Sequence, residues 1–372
     1  MRLLHPDGSV VHLAYCTNVH PAEDLPGIRA QLTGFAARVR DLLGVQRLGV
    51  GLWLPYDAAH ALLADRAELV RLRGLLTELG LEVVTLNGFP YRGFHQEVVK
   101  YRVYSPDWGC ADRLGYTLAL AEILAALLPD DVAEGTISTL PLAWRTGWTG
   151  AKADATARML AELARGLREL SGRAGKVIRV GFEPEPGCIV ETTAQAARHL
   201  RDVDRDFLGV CLDACHLAVG FEDPSIGLDL PIVKLQASCA IEAPPEAHAA
   251  LASFDEPRFL HQSRSASGFT DDLAEALAGG LPAGETWRVH FHMPLHAAPP
   301  PPLTTTSSYL RDLLGTLVGG TAPRTRHVEV ETYTWSVLPS AGGVTTGGLA
   351  EGMAAELDWT RRELLALGLK EL

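Results

Sequence analysis

Residues Phe207–Ala218 read FLGVCLDACHLA. A run of apolar and small residues ends on Asp213, and His216 follows three residues later. A near-continuous apolar run of this length predicts a strand covered on both faces. An acid and an imidazole at its end suggest that the end opens on a site. The pattern recurs along the chain. It predicts strands at His12–Cys16, Leu48–Leu54, Glu82–Leu86, Gly135–Leu140, Val177–Phe182, Phe207–Leu212, Ile232–Gln236 and His327–Val330. Helical spacing of apolar residues fills the intervals at Gly27–Leu43, Ala58–Leu79, Arg113–Leu128, Ala151–Leu170 and Thr192–Val203. Eight strands alternating with helices predict an α/β fold, a (β/α)8 TIM barrel rather than an open sheet. No G-x-G-x-x-G follows the first strand, so a dinucleotide-binding sheet lacks support.

Two regions break the rhythm. Residues 238–303 predict an elaborated excursion between strands seven and eight, with an added strand at Trp287–Met293. Residues 342–372 open on a Gly/Thr-rich turn and end in a C-terminal helix. The whole chain, 1–372, reads as one barrel domain. With 47% apolar and 21% charged residues, the 372-residue chain can bury a sizeable core. A net charge of -12 repels phosphate backbones, so nucleic acid is not an expected partner. The six cysteines include no C-x-x-C pair. Cys211 and Cys215, flanking Asp213, read as small buried hydrophobes, which suits a reducing, cytoplasmic setting. The N-terminus lacks a secretory pattern. The greasiest run, LGYTLALAEILAALLP from Leu114, is interrupted by Glu122 and stops at Pro129. It predicts a core-facing helix, with no membrane insertion.

In such barrels the chemistry sits at the C-terminal ends of the strands. The polar residues there are Asn18 and His20, Asn87, Ser138 and Thr139, Glu183 and Glu185, Asp213 and His216, Lys234 and Gln236, and Glu329 and Glu331. Alternation points Glu329 and Glu331 to one side, with Glu331 nearer the strand end. Glu183 is the first polar residue after its run, whereas Glu185 follows Pro184 and reads as loop. Three acids meeting at one mouth repel, and burying them unpaired costs several kcal/mol each. A divalent cation (Mn, Mg, Fe, Co or Zn) removes that conflict. Carboxylates around it can also serve as acid and base. Each residue has a plainer alternative. A glutamate at a strand end can be solvated, His216 can cap a helix, and Lys234 can pair structurally with an acid. His290 and His292 in VHFH face one way on a strand, as ligands or as a hydrogen-bonded pair. His261 in FLHQ is a weaker candidate. Asn87, Tyr91 and His95 in NGFPYRGFH are substrate contacts or loop packing.

Taken together, GFEPEPG, CLDACHLAVGFEDP, VKLQAS, FLHQ, WRVHFHMP and VEVETYTWSVLP resemble the EboE proteins, and NGFPY and ISTLPLAW also fit. These are xylose-isomerase-like TIM barrels encoded in bacterial metabolite-traffic (ebo) clusters. The resemblance runs from Tyr15 to Pro339. It implies kinship with sugar isomerases, sugar epimerases and endonuclease-IV-type enzymes. Their usual metal set is Glu, Asp, His and Glu after strands five to eight. Carried over, the set becomes Glu183, Asp213 and Glu331, with Gln236 where a histidine is expected. His292 or His261 would then supply nitrogen, and Asp-x-x-His falls on Asp213 and His216. Three functions follow. The first is a metal-dependent isomerase or epimerase of a small hydroxylated metabolite. There Glu183 and Glu331 carry protons, His216 polarises the substrate, Lys234 assists, and Asn87, His95, His261 and His290 contact the substrate. The second is a non-catalytic metabolite-binding carrier. The third is an endonuclease-IV-like phosphodiesterase, which needs further nitrogen ligands from His261, His290 and His292.

Overall fold

Eight parallel strands close on themselves in the computed structural model, which describes residues 1–227, 229–339 and 348–372. They are β1 (Val10–Cys16), β2 (Leu48–Trp53), β3 (Leu81–Asn87), β4 (Glu134–Thr139), β5 (Val177–Phe182), β6 (Leu208–Asp213), β7 (Ile232–Ala237) and β8 (His327–Val330). Closure comes from β8 beside β1, with Val328 opposite Leu13. Helices connect successive strands, so the sheet is covered outside as well as inside, and its strands read as apolar runs for that reason. The fold is the predicted (β/α)8 barrel, with strand limits within about two residues of those expected.

The helices follow local chemistry. The predicted Ala58–Leu79 is two helices, Tyr56–Ala64 and Arg66–Glu78. Asp65 breaks it by taking an extended backbone and accepting from Ala67 N at 2.9 Å as an N-cap. Gly27–Leu43 is helical throughout but loosens into a π turn at Leu32–Ala36. The excursion forms a five-stranded antiparallel sheet in the order Phe269–Thr270, Ser263–Arg264, Trp287–Val289, Ile241–Ala243, Thr304–Thr305. The predicted added strand is thus Trp287–Val289, and His290 and His292 lie just beyond it. Arg288 ties this sheet to the barrel by donating to Ala218 O at 2.9 Å. The C-terminal helix is Leu349–Ala366. Most of the expected Gly/Thr-rich turn before it lies outside the described residues. No described helix is long and apolar enough to cross a membrane.

The barrel interior is polar, unlike the branched aliphatic filling usual for this fold. Thr136 donates to Thr85 at 2.9 Å. Lys234 and Glu329, both 0% exposed, form an ion pair. Room for Glu329 comes from Gly51, since a Cβ there would fall 1.3 Å from Glu329 Oε1.

At the opposite end Arg2–Leu4 and Lys370–Glu371 extend the sheet from β1. Arg2 donates to both carboxylate oxygens of Glu82, at 3.2 and 3.0 Å. Burial alone would raise the Glu82 carboxyl, but His12, Arg2 and the amino terminus outweigh it and hold it at about 2. A depressed carboxylate stabilises the fold above its ordinary range and loses that contribution as pH falls. About 3 kcal/mol should therefore disappear between about pH 4.5 and 2. Urea titrations at pH 6 and pH 3 should show a smaller acid loss in Glu82→Gln than in the parent. Equal acid sensitivity in both would refute the assignment.

Candidate functional site

The strand ends converge on a buried group of carboxylates. Asp213 closes β6 and caps the short helix Ala214–Val219, its Oδ1 accepting from His216 N at 2.9 Å and Ser238 Oγ at 2.8 Å. Its Oδ2 is buried without a hydrogen-bond partner among the described residues. Glu331 follows β8, and its Oε1 accepts from Asn18 Nδ2 at 2.7 Å and Asn87 Nδ2 at 2.8 Å. Glu183 follows β5, its backbone N–H bound to Thr139 O at 2.9 Å, and its Oε2 also lacks a partner among the described residues. One oxygen from each of the three carboxylates lies within 4.8 Å of the others, and no residue of the three is more than 5% exposed.

Such a group cannot hold three bare negative charges. Burial first, then Glu331 and Asp213, push the Glu183 carboxyl well above its usual range. Burial first, then Asp213 and Glu329, do the same to Glu331. Gln236 sits opposite Asp213 in the register and shares the inward face of β7 with Lys234. Both its amide atoms are buried without a partner among the described residues. Orphaned oxygens around converging carboxylates fit a hard divalent cation.

A second group adjoins the first. His216 Nδ1 lies 3.0 Å from Pro184 O, and His292 Nδ1 lies 2.8 Å from Glu331 O. His290 Nε2 lies 3.1 Å from the Nε2 of each of them. Burial holds His216 down at about 4. Glu185 is pushed up to about 8 by burial, against hydrogen bonds from Tyr104 and Gln262. Tyr104 donates to it at 2.7 Å.

Above these polar groups the wall turns apolar, with Phe89, Phe94, Val99, Val103 and Phe259 around a cavity of about 60 Å³. That volume holds a cation and one or two waters. A hexose needs the mouth to widen. Phe89, Phe94, Val99 and Val103 of that wall all come from the segment that follows β3. It is fastened by Val99 N and Lys100 N, both donating to Arg258 O at 2.8 and 2.9 Å, and by the Lys100–Asp272 ion pair.

The family model described as "Xylose isomerase-like TIM barrel" matches residues 44–238. The chain belongs to the xylose isomerase-like TIM barrel family. No curated protein matches this barrel. Solved structures share its fold at low identity. L-ribulose 3-epimerase is 13% identical with a TM-score of 0.51, covering 96% of each chain. A D-tagatose 3-epimerase-like protein is 12% identical with a TM-score of 0.51, covering 96% of this chain and 98% of that one. A putative sugar phosphate isomerase/epimerase from Anabaena variabilis is 14% identical with a TM-score of 0.50, covering 97% and 100%.

In this xylose isomerase-like barrel Glu183, Asp213 and Glu331 meet, with Asn87, His216, His290 and His292 beside them. Other candidates stand elsewhere. Lys234 lies beneath the cavity, where burial would lower its ammonium but Glu329 keeps it charged. It is a structural ion-pair partner there, outside the cavity wall. His261 is 0% exposed with both ring nitrogens engaged, Nδ1 to His290 O at 2.9 Å and Nε2 to Glu256 Oε1 at 3.0 Å. His95 is held by Asn18 O at 2.7 Å and does not line the cavity. His216 cannot polarise a substrate oxygen by donation, because its Nδ1 proton is committed to Pro184 O and Nε2 then carries a lone pair. Glu185, read as loop, is 5% exposed and lines the cavity. Asn18, Tyr104, Gln262 and Tyr333 were not singled out as site residues. The sequence signal for Asn18 was its place after β1, and for Gln262 its place beside His261.

Proposed function

We propose that this barrel is a metal-dependent isomerase or epimerase of the EboE kind, acting on a small hydroxylated metabolite in a metabolite-traffic pathway. The observation that carries the reading is the triple of buried carboxylates, Glu183, Asp213 and Glu331, with unpartnered oxygens and the neutral amide of Gln236 at the fourth side. A divalent cation (Mn, Mg, Co, Fe or Zn) held there supplies positive charge for an oxyanion developing on a substrate. Glu183 and Glu331, both with raised affinity for protons, are placed to take a proton from a carbon next to a carbonyl and return it. Asn18 and Asn87 fix which oxygen of Glu331 is free for this. Glu185, poised at about 8, is a proton reservoir at the cavity edge. The apolar wall excludes water from the reacting carbon. The reading extends to one domain spanning 1–372, working in the cytoplasm on a small molecule rather than on nucleic acid.

The test is hydrogen exchange. Protein loaded with Mn²⁺ or Co²⁺ in deuterated water, incubated with a panel of ketopentoses, ketohexoses and hydroxyacetone, should place deuterium beside a carbonyl. Glu183→Gln should slow exchange by at least about 10²-fold. No exchange from any member would argue against the reading. One observation favours a non-catalytic carrier instead: Gln236 brings no charge and no basic nitrogen to the fourth side. A carrier would bind a panel member without exchanging its hydrogens.

A further inference from the structure

The cavity has two unlike ends. At the floor, Asn18 Oδ1, Glu183 Oε2 and Glu185 Oε2 are buried without a hydrogen-bond partner among the described residues. All three are acceptors, and hydroxyl groups of a substrate can donate to them. The opposite wall offers no such atom among the described residues. There Phe94, Val99 and Phe259 join Trp53 in a small apolar cluster of their own, with Val103 and Tyr333 packed against it. The Phe94 ring centre is 5.2 Å from that of Phe259 and 5.4 Å from that of Tyr333, the latter pair edge to face. The polar tips near this wall are spent. The Tyr104 hydroxyl donates to Glu185 at 2.7 Å and accepts from Gln262 Nε2 at 2.9 Å. The Tyr333 hydroxyl lies 3.3 Å from His290 Nε2. Lys100, the one permanent cation among the described lining residues, is ion-paired with Asp272. A polyol chain does not match this division. Hydroxyls along it would leave water to face the carbon atoms of the wall, with no hydrogen bond in exchange. A phosphate would find its counter-charge already taken.

We propose that the substrate is a neutral α-hydroxy ketone with an aryl body. Its hydroxyl and carbonyl oxygens lie at the floor, and its ring lies against Phe94, Val99, Val103 and Phe259. An aryl group fits because the rings of this wall already meet edge to face, and a further ring continues that packing. The body enters where loops meet. Trp53 ends β2, Phe94 and Val99 follow β3, and Phe259 comes from the excursion. Parting these loops enlarges the cavity of about 60 Å³ without opening the barrel. The proposal rests on the isomerase or epimerase reading of the carboxylate floor and names the substrate class for it.

The test uses the whole chain loaded with Mn²⁺ and three ketones that share a hydroxymethyl ketone head: α-hydroxyacetophenone, hydroxyacetone and erythrulose. Their bodies are phenyl, methyl and hydroxylated. Calorimetric titration should rank α-hydroxyacetophenone tightest, with a dissociation constant at least about tenfold below that of erythrulose. Deuterium from heavy water should enter its hydroxymethyl carbon with the highest kcat/KM of the three. Val99→Thr combined with Val103→Thr puts a hydroxyl at each wall position and should narrow the binding ratio at least about threefold. Should the double variant fail to fold, Val103→Thr alone, at a half-buried position, should move the ratio in the same direction. Erythrulose binding and exchanging as well as the aryl ketone would overturn the aryl class and leave the isomerase reading standing. Tight binding of the aryl ketone with no exchange from any of the three would keep the class and sink the isomerase reading in favour of a carrier. No binding of any ketone, or a ratio unmoved in the valine variants, would overturn the proposal.

Discussion

Glu331→Gln should raise the melting temperature of the cation-free protein and abolish the further rise that Mn²⁺ or Zn²⁺ gives the parent at the carboxylate site. The two effects have opposite signs and one cause. Glu331 shares a dry pocket with Glu183 and Asp213, and each raised carboxyl records the cost of gathering them. Each unit by which such a group is raised corresponds to about 1.4 kcal/mol. A glutamine keeps an oxygen for Asn18 and Asn87 and turns an N–H₂ toward the remaining carboxylates. Removing one carboxylate from this unpaired, buried group should stabilise the empty pocket. The same change removes a charged ligand. At a hundred times its dissociation constant a cation adds about 2.7 kcal/mol to the parent. That increment should vanish in the variant. Differential scanning calorimetry with and without chelator reads both. A variant that melts lower without cation, or keeps the full cation shift, contradicts the account.

Lys234→Met should be the most damaging change inside the barrel. It strands Glu329, which is 0% exposed and occupies the space over Gly51, with no counter-charge. The other neighbours of the ammonium, Leu86 O at 3.5 Å and Ser138 Oγ at 3.4 Å, carry no positive charge to replace it. Removing one partner of a buried pair costs about 3–5 kcal/mol. Adding Glu329→Leu removes the stranded charge and should recover most of the loss, because an apolar pair in place of a buried ion pair is often neutral or better. Urea unfolding of the parent, the single variant and the double variant measures this directly. A single variant within about 1 kcal/mol of the parent would mean that the pair contributes little, against this account.

The barrel was legible because its strands are covered on both faces. Runs such as LGVCLD and VIRVGF leave few other conformations open, and the acid or amide after each marks the mouth. Alternation placed Glu329 and Glu331 on one side correctly, yet it could not say that Glu329 would be neutralised by Lys234 from the neighbouring strand. That depends on register across the barrel and on the missing side chain at Gly51. Glu185 lies in the loop after Pro184, as expected, but its place in that loop does not reveal that the carboxylate reaches the cavity. That loop folds back, with Glu185 N bound to Val190 O at 3.1 Å, and Tyr104 and Gln262, distant in sequence, hold the carboxylate. The motif FLHQ drew attention to the histidine, but its ring is spent on Glu256 and the His290 carbonyl, and the glutamine beside it aims His290. Glu356 was invisible from sequence. From the C-terminal helix it accepts from Thr332, Trp335 and Leu295 N, which steadies the segment carrying Glu331 and Tyr333.

Anomalous scattering from crystals grown with Mn²⁺ after chelator treatment gives the most direct measure of whether distant acids surround one shared ion. A single strong peak bound by Glu183, Asp213 and Glu331 is the predicted result. A map with no peak among those three side chains, at a concentration that saturates other Mn²⁺ sites on the molecule, would contradict it.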